Sequence, residues 1–205
     1  MLLLINSGTS NLGAWISILK KLNQKFTLSD NTDWDLHDIS KIIFPGIGHF
    51  DEVVKNISKN NLKKKLIYFL QNKIPYLGVC MGMQILFEKS EESENNGHHG
   101  LNFIKGKILK ISEKNIILPH NGWNDIKVQK KNSIFKNINS GTNFYFNHSY
   151  YCSPEDKSNI TSNLKDHPKI TASIEKDFIF GVQFHPEKSM AAGLKIIKNF
   201  TNIKC

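Results

Sequence analysis

The sequence contains no arginine: each of its 27 basic residues is a lysine. That absence decides how a formal net charge of +9 is read. Arginine carries the planar fork that grips phosphates and guanine edges, and lysine does not reproduce it. No nucleic-acid partner is inferred from charge. The 23 asparagines, with abundant lysine and isoleucine, fit a coding bias better than a built basic surface. The tight run Lys63-Lys64-Lys65 reads as a solvated helix face. Cysteine is scarce too, with Cys80, Cys152 and Cys205 widely spaced and odd in number. They suggest no disulfide framework and no metal site, and the expected compartment is the reducing cytoplasm. No apolar run approaches the roughly 18 residues of a membrane span, and no membrane partner is expected. The short apolar run before Ser7 has no cationic segment ahead of it, so a cleaved leader is not expected. Glycine-rich phosphate loops are absent, and no cofactor is expected.

What is present is 205 residues, 40% of them hydrophobic, enough to bury a core without staples. No linker or internal repeat divides the chain, so residues 1–205 are read as one domain. An apolar run at Leu2 to Ile5 precedes a small polar loop. Leu12, Trp15, Ile16, Leu19 and Leu22 then recur at helical spacing. Phe26 to Leu28 and Ile42 to Phe44 read as strands, and 50–58 and 62–72 as helices. Tyr76 to Val79 reads as a buried strand, Met81 to Glu88 as a helix and 89–99 as a surface loop. Strand runs follow at 103–111, 125–129, 144–151, 170–174 and 178–184, and helical spacing returns at Leu194, Ile197 and Phe200. The expectation is an α/β fold. Its mixed, mostly parallel central sheet has helices on both faces and an antiparallel extension.

The strongest local signal is Gly78-Val79-Cys80-Met81-Gly82, a nucleophile elbow between strand and helix. A sharp turn would hold Cys80 exposed at the carboxyl end of the sheet, and small neighbours would let backbone pass close by. Helix N–H groups beginning at Met81 would favour the reactive thiolate. About a hundred residues on, a strand ends in Gln183-Phe184-His185-Pro186-Glu187. A cysteine nucleophile needs a base or ion-pair partner, and a histidine in turn needs an orienting carboxylate.

These two motifs resemble those of class I, triad-type glutamine amidotransferases. Within that class, Pro119-His120-Asn121-Gly122-Trp123-Asn124, the run Phe144 to Tyr151, and Glu187-Lys188-Ser189 look like the glutaminase subunits of imidazole glycerol phosphate synthase. The resemblance runs in order along essentially the whole chain. It implies the class I glutamine amidotransferase fold and assigns catalysis to Cys80, His185 and Glu187. It also implies an oxyanion site made by Met81 and the Gly46-Ile47-Gly48 loop, and glutamine binding by Gln84, Ser149 and Tyr150. His148 is read as structural or as an interface residue. The implied partner is a cyclase or synthase subunit of the (β/α)8-barrel HisF type, as a heterodimer, faced by Asn6, Ser10, Asn11, Trp123 and Tyr145. The family's acidic residue and second glycine are missing from Asn6-Ser-Gly-Thr-Ser-Asn11. The leading pathway is histidine biosynthesis, with imidazole glycerol phosphate and AICAR as products. A paralogous subunit for surface-polysaccharide sugar amidation is the alternative. A stand-alone γ-glutamyl hydrolase or cysteine peptidase would need a substrate-groove insertion that is absent. A binding module with a dead triad conflicts with the intact Cys80, His185 and Glu187.

Overall fold

The computed structural model describes residues 1–30, 35–59, 61–93, 98–113, 115–131 and 134–203. Its first half alternates strand and helix: β1 (Leu2–Leu4), α1 (Leu12–Lys21), β2 (Phe26–Leu28), β3 (Lys41–Gly46), α2 (Phe50–Lys59), α3 (Leu62–Gln71), β4 (Tyr76–Cys80) and α4 (Met81–Gln84). The second half is mainly strands: β5 (Lys89–Ser90), β6 (Gly106–Lys110), β7 (His120–Val128), β8 (Asn143–His148), β9 (Tyr150–Pro154), β10 (Ile160–Leu164), β11 (Thr171–Lys176) and β12 (Ile179–Val182). Helix α5 (Met190–Thr201) closes the order.

Nine strands form one sheet in the order β2-β1-β3-β4-β12-β11-β10-β7-β8. The first five are parallel neighbours. From β12 onward each neighbour is antiparallel. Strand alternation then sorts the core into two faces. Leu3, Ile42 and Phe44 pack with Phe50, Val53, Leu66 and Phe69 of α2 and α3. Leu2, Leu4, Ile43, Leu77 and Val79 pack with Trp15 and Leu19 of α1 and Ile196, Ile197 and Phe200 of α5. Parallel strands covered on both sides place their carboxyl ends together, where open α/β sheets bind ligands. Those ends carry Asn6, Gly46, Cys80 and Gln183.

Several elements differ from the sequence reading. The helix read over Met81 to Glu88 ends at Gln84, because Leu86 and Phe87 donate to the carbonyls of Met83 and Gln84, three residues back. As a single turn, α4 supplies free N–H groups with only a small dipole. The loop read over 89–99 holds β5, which pairs with β6, while residues 94–97 lie outside the described residues. The run 144–151 divides into β8, in the large sheet, and β9, in a three-stranded sheet ordered β5-β6-β9. Strand β7 begins at His120, ahead of the expected 125–129, and β10 was not expected.

Candidate active site

Cys80 ends β4 with φ +52 and ψ −106, a left-handed conformation rare for a residue with a side chain. The backbone on either side of the turn is closely packed. A Cβ on Gly78 would overlap the Gly82 carbonyl, and one on Gly82 would overlap the Phe44 carbonyl. Tyr76 Oη donates to the Gly82 carbonyl at 2.6 Å and closes the elbow from beneath.

His185 follows β12, the neighbour of β4. Its Nδ1 lies 2.9 Å from Glu187 Oε1, and the two side chains are 2% and 3% exposed. Pro186 starts a one-turn 3-10 helix that folds Glu187 back toward the ring. Ser189 Oγ donates to the His185 carbonyl at 2.7 Å and accepts from the Tyr145 N–H at 3.0 Å, fixing this segment against β8. With Nδ1 committed to Glu187, the buried Nε2 has no aligned hydrogen-bond partner. Burial alone would lower the His185 pKa. The charge of a Cys80 thiolate, with Glu187 behind the ring, outweighs burial and raises it to about 10. Cys80 thus lies close enough to act on the charge of the ring.

Cys80 opens into a cavity of about 200 Å³ lined by Ile47, Gly48, Met81, Gln84, Ser149 and Tyr150, with Glu92, Pro119, Asn147 and His148. Gly46 is the register partner of Cys80 across β3 and β4, and a Cβ there would fall 2.9 Å from Met81 Cβ. Gly48 adopts φ +100, which glycine takes without strain. The structure thus brings Cys80, the Gly46–Gly48 loop, Met81, Gln84, Ser149 and Tyr150 around one cavity, with the His185–Glu187 pair next to Cys80. Trp123 and Tyr145 are register partners on β7 and β8 with ring centroids 6.0 Å apart, and Tyr145 lies 6.3 Å from the His185 ring. Trp123 is 44% exposed, so an open aromatic surface reaches His185 through one ring. Asn6, Ser10 and Asn11 lie in the loop between β1 and α1. There Asn6 Nδ2 donates to Asp30 Oδ2 at 2.9 Å.

Four residues near the site carried no role in the sequence reading. Glu92 lay in a polar run read as a loop. Its Oε2 accepts from the Phe50 N–H at 2.8 Å, and burial raises its pKa. Ser189 and Gln183 sat inside quoted motifs without a role. His120 is the fourth. His148 Nδ1–H donates to the Tyr150 carbonyl at 2.8 Å, so its Nε2 accepts from His120 Nδ1–H at 3.1 Å. His120 Nε2 in turn accepts from Asn124 Nδ2 at 2.8 Å. Burial holds His148 neutral, with its pKa lowered to about 3, and it is no base. Among the described residues, no group of three or more His, Cys, Asp or Glu is arranged to hold a metal. No helix among them is long and apolar enough to cross a membrane.

The chain is similar to known proteins in sequence and in fold. Residues 3–203 match the family described as glutamine amidotransferase class-I. The chain is 36% identical to "Imidazole glycerol phosphate synthase subunit HisH" of Leptospira borgpetersenii, over 99% of this chain and 100% of the relative. It is 40% identical to the protein of the same name from Methanocaldococcus jannaschii, over 94% and 96% of the two chains. A solved structure titled "Structure of PurLQS from Thermotoga maritima" superposes with TM-score 0.72 at 19% identity, over 98% of this chain and 97% of that one.

Proposed function

The chain belongs to the glutamine amidotransferase class-I family, and on that premise we propose that it is the glutaminase subunit of an imidazole glycerol phosphate synthase, acting as one domain over residues 1–205. The observation that carries the reading is the buried His185–Glu187 pair behind Cys80. The Cys80 thiolate attacks the side-chain amide carbon of L-glutamine, and a tetrahedral oxyanion forms. Met81 and the Gly46–Gly48 loop supply backbone N–H donors to that oxygen. The His185 imidazolium protonates the departing nitrogen, and ammonia leaves with formation of a γ-glutamyl thioester. Neutral His185 then takes a proton from water, hydroxide adds to the thioester, and glutamate leaves as the thiolate returns.

Substrate orientation follows from the cavity wall. Gln84 Nε2 is held by the Tyr150 carbonyl and by Gln183, both at 3.2 Å, which leaves its buried Oε1 as an unpartnered acceptor for a substrate N–H. Glu92 offers a carboxylate to the substrate ammonium, and backbone N–H groups at Ser149 and Tyr150 suit its carboxylate. Ammonia passes to a (β/α)8-barrel cyclase partner of the HisF type, docked over Trp123, Tyr145 and the Asn6–Asn11 loop. That partner makes imidazole glycerol phosphate and AICAR in histidine biosynthesis in the cytoplasm.

One observation favours a second reading. Asn6 stands where the family carries an acidic residue, and it is tied to Asp30 within its own chain. A paralogous partner for sugar amidation would meet such an altered loop. The test mixes the chain with each type of synthase subunit and its acceptor and measures glutamate release. Stimulation by the histidine-pathway partner supports the proposal. Stimulation by the sugar-pathway partner alone replaces the pathway and leaves the chemistry intact.

A further inference from the structure

The sulfur of Cys80 has a second polar neighbour that the triad does not account for. Gln183 is fully buried, and its Nε2 lies 3.5 Å from Cys80 Sγ. An amide side chain is nearly symmetric in shape, so which end faces the sulfur must be argued from its bonds. The Tyr150 carbonyl can only accept, so the nitrogen of Gln84 must face it. The same Gln84 nitrogen lies 3.2 Å from the other end of the Gln183 amide, which must therefore be the oxygen. This leaves the Gln183 nitrogen against the sulfur. The Tyr150 carbonyl is itself held by His148, which His120 and Asn124 anchor. The orientation of Gln183 is thus fixed from a backbone carbonyl.

The chemistry at the sulfur makes that orientation matter. Cys80 is 5% exposed, so water gives its anion little solvation, and a buried anion without donors is costly. A neutral thiol could instead donate toward the Asn147 carbonyl at 3.9 Å. An N–H aimed at the sulfur strengthens when the sulfur is charged and weakens when it is not. The titratable groups around Cys80 are His185 and Glu187 behind it, Cys152 beside it, and His148 and Glu92 on the cavity wall. His148 is neutral, which leaves His185 as the cation. Gln183 adds a fixed dipole from the other neighbour of the sulfur.

We propose that Gln183 is a catalytic residue of this site, a sulfur-facing N–H donor that stabilises Cys80 as thiolate before attack and again as leaving group when the thioester is hydrolysed. The proposal rests on Cys80 being the nucleophile of the glutaminase reaction. Its test reads the sulfur directly, so the two can fail separately.

The test is iodoacetamide alkylation of Cys80 in the full chain, followed at the Cys80 peptide by mass spectrometry over the pH range in which thiols ionise. Gln183→Met keeps the shape and loses the donor, and Gln183→Glu replaces it with an acceptor. Both should alkylate at least about tenfold more slowly than wild type at neutral pH, and the gap should close at high pH. A structural role alone would lower turnover without moving this curve. A folded Gln183→Met or Gln183→Glu protein whose curve superposes on wild type overturns the proposal. A measurement that needs no Gln183 variant runs beside it. The side-chain amide resonances of Gln183 in the wild-type chain should shift as Cys80 ionises, and Cys80→Ser should abolish the shift. An amide indifferent to Cys80 also overturns the proposal. If the alkylation effect appears while glutamate release is absent under every condition, the donor role stands and the glutaminase reading falls.

Discussion

Gly82 and Phe44 touch backbone to backbone: the α-carbon of Gly82 sits so close to the Phe44 carbonyl that a Cβ would overlap it. This contact presses α4 onto the end of β3 and holds both oxyanion candidates beside Cys80. Because the obstacle is backbone, it cannot swing aside. Gly82→Ala should cost about 3 kcal/mol or more of stability, as forced overpacking in a rigid core does. Gly13→Ala is the control: it lies in α1 with only the Asn11 side chain near the new methyl, at 3.9 Å. It should stabilise by about 0.5–1 kcal/mol through helix propensity. Urea unfolding of the two variants measures the contrast.

The charge state of His185 sets a pH dependence. Its pKa is raised to about 10 because the Cys80 anion and Glu187 outweigh burial. A raised histidine contributes stability fully below its unfolded value of about 6.5. That contribution is lost as pH rises through the folded value of about 10. In the proposed mechanism the imidazolium protonates the departing nitrogen, so the partner-bound enzyme should stay active through neutrality and fall toward that same alkaline limit. Glu187→Gln removes one of the raising interactions and should move the alkaline fall to lower pH. Steady-state glutaminase rates against pH test the direction.

His185 and Glu187 should not be equal in effect. In the proposed mechanism His185 transfers protons in both half-reactions, whereas Glu187 holds the ring from Nδ1 at 2.9 Å. His185→Ala should lose several powers of ten in kcat, and Glu187→Gln distinctly less. Rapid-quench measurement of thioester formation gives the comparison, and equal losses would count against the division of roles.

The parallel half of the sheet was legible because its residues obey simple periods. Leu12, Trp15 and Leu19 gave α1, and short apolar runs gave β1, β3 and β4. The elbow was legible because its strained turn demands small residues at set positions, and the His-Pro-Glu segment because a proline-started turn at a strand end keeps a histidine and a carboxylate two positions apart. What was missed depends on contacts between distant segments. Strand β10 reads Ile-Thr-Ser-Asn-Leu, too polar for a core strand, yet Thr161 and Ser162 are buried because Ser173 of β11 satisfies both hydroxyls. Helix α4 stops at Gln84 although the apolar run continues, because hydrogen bonding changes span while hydropathy does not. Glu92 lines the cavity with its carboxylate accepting from the Phe50 N–H of α2, 42 residues away in sequence.

Gating by the partner follows from the oxyanion loop. Gly48 takes φ +100 and the exposed Ile47 lines the cavity, so the peptide plane between Ile47 and Gly48 can turn over at little steric cost. The chain alone should hydrolyse glutamine slowly, and a synthase subunit with bound acceptor should raise the rate by about 10²–10³, the worth of one oxyanion donor. Gly48→Val should blunt the stimulation while leaving complex formation measurable by light scattering. Full activity of the isolated chain would contradict gating.

The central claim is that Cys80 makes ammonia and another chain consumes it. The most direct measurement is product formation by the complex of Cys80→Ala with its synthase partner, fed either glutamine or a high concentration of ammonium salt. Glutamine-dependent synthesis should vanish, and ammonium-dependent synthesis should equal that of the wild-type complex. Glutamine-dependent turnover retained by Cys80→Ala would contradict the account.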